Sequence, residues 1–373
     1  MIAYIDELDS WIKDKTRTKS NNKPFFLKYI LSILFIAIAI SVAFLILKSP
    51  QKSGDFSFKI EDTHLVIIDK NGKSLWDYDL GPKLNQAEYA KEWAKKNVLF
   101  EDIDNDGKPN VLVAIQNKNH FDEAIACLDY KGNLIWKYNV GREIQFGNKI
   151  ISPDFDIANF EIVDLDSDSR YETVITANHK IYFPSRVIIL NSEGQSIGEY
   201  WNSGHFVSMA FTDLDDDQKK EIILGGVNNN YRKACIVVFD LLDVSGSSPQ
   251  MQGTRYYSPE LEPGSEKYYL LLPPNVVGQS MGIQENIRGI DLLNNGRFDV
   301  TTSISRIHYE FDRDLNCTDV YLGDEFVLNF NKLKQEGKLK IDLSDIDIEK
   351  LKSEISCWDG EGWISKVPVS DGS

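Results

Sequence analysis

Cysteine and histidine are scarce in this chain. Its four cysteines, Cys127, Cys235, Cys317 and Cys357, show no CxxC spacing, and its five histidines show neither HExxH nor paired spacing. Neither residue type therefore offers a zinc ligand set. Cys127 and Cys235 lie in the apolar runs IACL and ACIVV, where a thiol acts as a small core residue. Spacing leaves open whether Cys317 and Cys357 pair. No GxSxG motif or Ser/His/Asp grouping stands out, so the chain is expected not to be an enzyme. Positive charge is also short, with 41 Lys and Arg against 57 Asp and Glu and a net charge of −16. Such an exterior repels phosphate backbones, and no nucleic-acid partner is expected.

Charge is absent altogether from Tyr29 to Leu47, YILSILFIAIAISVAFLIL. At 1.5 Å per residue this run spans about 28 Å, close to the hydrocarbon thickness of a bilayer. A cleaved signal peptide has a shorter apolar region of about 7–15 residues followed by a small-residue site, and this run exits into Lys48-Ser49-Pro50. The run is therefore expected to be an uncleaved single-pass anchor. Lys15, Arg17, Lys19, Lys23 and Lys28 precede it, while only Lys48 and Lys52 closely follow. That asymmetry puts the N-terminus in the cytoplasm and the rest outside, in the periplasm or at the cell surface. The expected organisation is a cytoplasmic tail with a short amphipathic helix (1–28), a transmembrane helix (29–47), a linker (48–54) and an extracytoplasmic domain (55–373).

That domain contains an internal repeat. Leu65–Gly81 aligns without gaps on Ile125–Gly141, with Asp69/Asp129, Gly72/Gly132, Trp76/Trp136, Tyr78/Tyr138 and Gly81/Gly141 identical. Val187–Tyr200 is a weaker copy with Gly198 in place of the tryptophan, and Ile236–Asp240 keeps only the first strand. Each copy reads as a strand, a glycine turn and a second strand. The tryptophans alternate with the tyrosines on that second strand and are expected to pack in the core. Trp201, outside the repeated position, is expected to be more tolerant of truncation.

Between the hairpins runs a second repeated unit. Polar loop positions 1, 3, 5 and 9 are Asp102, Asp104, Asp106 and Asn110 in the first copy. They are Asp164, Asp166, Asp168 and Glu172 in the second, and Asp213, Asp215, Asp217 and Glu221 in the third. A fourth copy, Asp291, Leu293, Asn295 and Asp299, is degraded. A β-run follows each loop. The clustered carboxylates repel one another, and hard oxygen ligands at irregular spacing suit Ca²⁺. Asx turns capping backbone N–H groups are the simpler alternative. Repetition in three copies favours a cation there, and Leu293 disfavours one in the fourth.

The acidic unit resembles the FG-GAP/VCBS repeat of integrin-α-like β-propellers, and the LDxxGxxxWxY unit resembles the hairpin of quinoprotein-like propellers. The resemblance implies an all-β fold, a propeller of about five (five to seven) blades, after the single transmembrane α-helix. It also implies closure by a blade shared between the chain ends, for which 56–68 and Ser356–Val369 are the candidate segments. Asn85–Lys96 is expected to form a helix and Lys332–Lys352 a strand, a turn and a helix. The long Tyr-rich stretch Asp243–Glu285 is a candidate binding loop. These features together suggest a membrane-anchored binding module for an unknown protein or glycan, with Ca²⁺-stabilised loops. A quinoprotein-like enzyme is one alternative, although the chain lacks the adjacent cysteines of that family. The other is a receptor with a truncated cytoplasmic domain, since Glu7–Ile12 resembles the last helix of excisionase-like winged-helix domains.

Overall fold

The computed structural model describes residues 56–81, 84, 89, 96–116, 123–240 and 243–365. The expected tail, the apolar run 29–47 and most of the helix expected over 85–96 lie outside these residues. No helix among the described residues is long and apolar enough to cross a membrane.

Strands dominate, in successive antiparallel meanders. Sheet I is β1 (Phe56–Glu61), β2 (His64–Asp69) and β3 (Ser74–Asp79), and sheet II is β4 (Val98–Glu101), β5 (Asn110–Ile115), β6 (Ala124–Leu128) and β7 (Leu134–Asn139). A two-stranded hairpin, β8 (Ile144–Phe146) and β9 (Lys149–Ile151), follows. Sheet III is β10 (Phe155–Val163), β11 (Glu172–His179), β12 (Ser185–Leu190) and β13 (Ser196–Asn202). Sheet IV begins with β14 (Phe206–Thr212), β15 (Glu221–Asn228) and β16 (Lys233–Phe239). Next come β17 (Ser245–Ser247), which pairs in parallel with β13, and β18 (Tyr268–Leu271), which pairs with β16 in sheet IV. After a short helix α1 (Val276–Met281), sheet V is β19 (Ile287–Leu292), β20 (Phe298–Thr302), β21 (Ile307–Phe311) and β22 (Cys317–Leu322). Helices α2 (Asp324–Gln335) and α3 (Ile348–Ser353) lead to β23 (Ser356–Trp358) and β24 (Trp363–Ile364).

The hydrophobic cores lie between consecutive sheets. On β5, Val111, Val113 and Ile115 face sheet I while Leu112 and Ala114 join a cluster with sheet III. On β15, Ile222 and Leu224 face sheet III and Ile223 faces sheet V. With both faces buried, the middle strands read as continuous apolar runs rather than alternating ones. Sheets stacked face to face in chain order give an all-β fold of the propeller type, as the repeats implied.

The tryptophans of the repeat join neighbouring sheets. Trp76 on β3 donates its indole N–H to the carbonyl of Tyr130 in the β6–β7 turn at 3.1 Å. Trp136 on β7 does the same to Ser192 in the β12–β13 turn at 2.9 Å. Each ring lies on the turn glycine of the next copy. A Cβ on Gly132 would stand 2.7 Å from the Trp76 ring, and one on Gly194 2.4 Å from the Trp136 ring. Both glycines also have positive φ, 87° and 76°. The turn therefore needs glycine for its backbone and for its neighbour.

Three expectations are corrected. Strand β23 pairs with β18 at Leu270–Cys357, extending sheet IV and not completing sheet I. Lys332–Lys352 contains no strand, because the apolar stripe Phe326, Phe330 and Leu333 starts upstream and winds α2 through Gln335. Trp201 is 1% exposed, with its N–H on Glu199 Oε1 at 2.7 Å, so it is a core residue. The four cysteines are free thiols.

Candidate metal centre

Each acidic loop joins the first and second strands of a sheet, and the first three adopt one backbone path. Positions 4 and 6 are left-handed in all three: Asn105 and Gly107, Ser167 and Ser169, Asp216 and Gln218. The position-1 carboxylate accepts the N–H of position 6, as in Gly107 to Asp102 (2.8 Å), Ser169 to Asp164 (3.1 Å) and Gln218 to Asp213 (3.0 Å). The position-9 side chain reaches back to the N–H of position 2. The pairs are Ile103 to Asn110 (3.1 Å), Leu165 to Glu172 (3.1 Å) and Leu214 to Glu221 (2.6 Å).

This folding brings carboxylates together. Oxygens of Asp102, Asp104 and Asp106 lie within 4.8 Å of one another, as do those of Asp164, Asp166 and Glu172, and those of Asp213, Asp215 and Glu221. Asp168 and Asp217 fall outside these groups, each accepting an N–H two residues on, from Arg170 (2.7 Å) and Lys219 (2.8 Å). Burial, with added repulsion from Asp166, Asp168 and Asp164, pushes Glu172 up to about 7. Burial and Asp215 push Glu221 up to about 7 as well. Asp104 is raised by burial and then by Asp106. In the third loop Asp213 Oδ1 and Glu221 Oε1 are buried with no hydrogen-bond partner, and buried acceptors left unpaired are costly.

The third loop holds cations that its spacing did not disclose. Lys267, the residue before β18, places its ammonium 3.0 Å from Asp215 and 3.5 Å from Asp240. Burial alone would raise Asp215, and the Lys267 contact outweighs it, leaving the carboxyl below its usual value. Arg313 pairs with Asp216 and holds it low. Both partners come from distant sequence, so no local signal could reveal them.

The fourth loop differs in register. In the first three loops the residue before position 1 pairs with position 9: Glu101 with Asn110, Val163 with Glu172, Thr212 with Glu221. In the fourth, Asp291 itself pairs with Asp299 and Leu292 with Phe298, so the register is shifted and the ladder closes on a shorter loop, 293–297. Asp291 and Asp299 belong to no carboxylate cluster among the described residues. Asp299 instead bonds His308 Nδ1 at 2.8 Å and accepts the Tyr321 hydroxyl at 3.3 Å.

Ser152, His179 and Asp154 also meet, but in an order unsuited to activating the serine. His179 Nδ1 accepts the N–H groups of Ile181 (3.1 Å) and Tyr182 (2.9 Å), so its proton is on Nε2, facing Ser152 at 3.2 Å.

No protein-family model matches the chain, and no curated protein matches it. Among solved structures it is similar to BamB from Moraxella catarrhalis, at 12% identity over 73% of this chain and 62% of that one, with a TM-score of 0.37. It is also similar to the C-terminal domain of PilY1 from Pseudomonas aeruginosa, at 13% identity over 69% and 57%, with a TM-score of 0.42. A rhamnogalacturonan lyase from Bacillus licheniformis overlaps at 12% identity over 60% and 41%, with a TM-score of 0.35. The chain thus spans less than two thirds of the length of each. Overlap at this level assigns neither a relative nor an activity. Because lyases stand among the similar structures, the expectation that the chain is not an enzyme is withdrawn.

Proposed function

We propose that this chain is a membrane-tethered, extracytoplasmic binding module: a five-bladed propeller of FG-GAP/VCBS repeats whose first three acidic loops hold Ca²⁺. The observation that carries the metal reading is the pair of buried, unpartnered oxygens, Asp213 Oδ1 and Glu221 Oε1, beside Asp215. A hard divalent ion is the ligand such oxygens lack. Asp102, Asp104, Asp106 and Asn110 would hold it in the first loop. In the second, Asp164, Asp166 and Glu172 would do so with Asp168 beside them, and in the third Asp213, Asp215 and Glu221 with Asp217. The bound ion would neutralise the loop and tie it to the strand that follows. The tether is the uncharged run Tyr29–Leu47 with its preceding lysines.

Calorimetry on the exterior domain tests the metal. Extracellular calcium modules bind with dissociation constants of about 10⁻⁴–10⁻³ M. A site of ~10⁻⁴ M at ~1 mM calcium adds about 1.4 kcal/mol to folding. The melting temperature should rise with calcium and much less with magnesium, and no heat of binding up to several millimolar calcium would refute the assignment. Protease added to intact cells or spheroplasts should digest the domain and spare a tag at residue 1, whereas loss of that tag without protease would refute the tether.

A further inference from the structure

A cleft of about 680 Å³ opens between the β8–β9 hairpin, the β11–β12 turn and the segment 253–259. That volume falls within the range of small-ligand sites, about 300–1,000 Å³. None of its lining residues belongs to the acidic loops. Its walls reverse the character of the chain. In a protein of net charge −16, the described lining includes Lys149 and Arg255 and no Asp or Glu. Neither cation is spent on a carboxylate among the described residues. Lys149 sits 3.7 Å over the Tyr182 ring and bonds its hydroxyl, and Arg255 donates to the Tyr256 hydroxyl at 2.6 Å.

The walls are fixed in place. The N–H of Gly147 bonds the carbonyl of Tyr257 at 2.7 Å. Phe183 meets Phe146 edge-on at 5.2 Å and Tyr256 at 4.6 Å. Gly147 is required at this crossing, because its φ is +54° and a Cβ would stand 3.0 Å from Arg255 Cα. Ile150 and Ile181, 63% and 75% exposed, add apolar surface on the same hairpin and turn.

We infer that this cleft binds an acidic oligosaccharide, with a uronate carboxylate between Lys149 and Arg255 and sugar faces against the aromatic wall. The inference rests on the binding-module reading and names its ligand class. Two cations match one carboxylate through charge-assisted hydrogen bonds, and the Asn148 amide and Thr254 hydroxyl suit sugar hydroxyls. Aromatic side chains present apolar faces with polar edges, as a pyranose ring does. The acidic exterior does not cancel the local field, since screening at physiological salt acts over about 8 Å. An acidic peptide would meet the same cations, which makes hexaglutamate the competitor that the test must include.

The test is calorimetric titration of the exterior domain with glucuronate, galacturonate and mannuronate hexamers, their carboxyl-reduced counterparts, and hexaglutamate, each with calcium and with chelator. At least one uronate hexamer should bind. Carboxyl reduction, Lys149→Ala and Arg255→Ala should each weaken it about tenfold, and hexaglutamate should bind more weakly. Both substituted residues are exposed, so the variants should keep the wild-type melting temperature. Binding of none of the three hexamers, equal binding by the variants, or tighter binding of hexaglutamate overturns the inference. The two readings fail separately: a calcium-dependent melting temperature without uronate binding removes only the cleft, and uronate binding in chelator survives loss of the metal sites.

Discussion

The second and third acidic loops have the same spacing of carboxylates, the same left-handed positions and the same buried glutamate, and they differ in what surrounds them. No cation reaches Asp164, Asp166 or Asp168 in an ion pair among the described residues, whereas Asp215 and Asp216 of the third loop are met by Lys267 and Arg313. An ammonium and a divalent ion are alternative answers to one repulsion. A loop that carries its own ammonium gains less from calcium, so identical motifs need not have equal affinity.

The largest test of this contrast removes the carboxylate that organises each loop. Asp164 accepts the N–H groups of both Asp168 and Ser169, while Asp213 accepts only that of Gln218. With calcium present, Asp164→Ala should cost about 2–3 kcal/mol in urea unfolding and Asp213→Ala about half that. Equal costs would erase the distinction between the loops. Next in size is Lys267→Met. It should raise calcium affinity at the third loop about tenfold and lower calcium-free stability by no more than about 1 kcal/mol, the scale of a partly exposed ion pair. Unchanged affinity in calorimetry would mean the ammonium does not compete.

A smaller effect is pH dependence. Burial raises Glu172 and Glu221 to about 7 from an ordinary 4.5. Their folded values lie above the unfolded ones, so the calcium-free fold loses stability as pH rises from about 4.5 through 7. Calcium favours the ionised form and removes that loss. The calcium-induced rise in melting temperature should therefore be small at pH 5 and complete above about pH 7.5, and Glu172→Gln should reduce the dependence. A rise of the same size at both pH values would contradict the linkage. Smallest is Leu293→Asp, which restores a missing carboxylate in a shorter loop of shifted register. It should add no calorimetric site and change stability by less than about 0.5 kcal/mol. A new site there would show that composition outweighs register.

Much of this was legible in the sequence because its carriers are local. The glycine turns and the polar side chains at positions 1, 3, 5 and 9 act within a few residues of one another, and the structure places them in hairpins and loops at those positions. What was missed acts at long range or depends on register. Lys267 lies 52 residues from Asp215, the pairing of Asp291 with Asp299 is set by a ladder, and the return of β23 to sheet IV depends on how α2 and α3 turn the chain. Trp201 was misjudged because its burial comes from Phe146 and Phe155, outside its own hairpin.

The indole seated on the next copy's glycine also bears on how such a chain grows or shrinks. Tryptophan and glycine recur in the same unit, yet the pair that touches comes from two different units. Duplicating the first or second unit therefore leaves every indole with a glycine to sit on, whereas deleting the third would strand Trp136, since the fourth copy has Asp243 at the turn position. The pairing stops where both halves lapse together: the third copy has Gly198 in place of the indole, and the fourth keeps only the strand Ile236–Asp240. A tryptophan restored at Gly198 would face the Val244 backbone, whose carbonyl oxygen already stands 3.1 Å from where a Cβ would go. The run of indole-on-glycine links thus ends at a strand position where the neighbouring backbone stands in the indole's place.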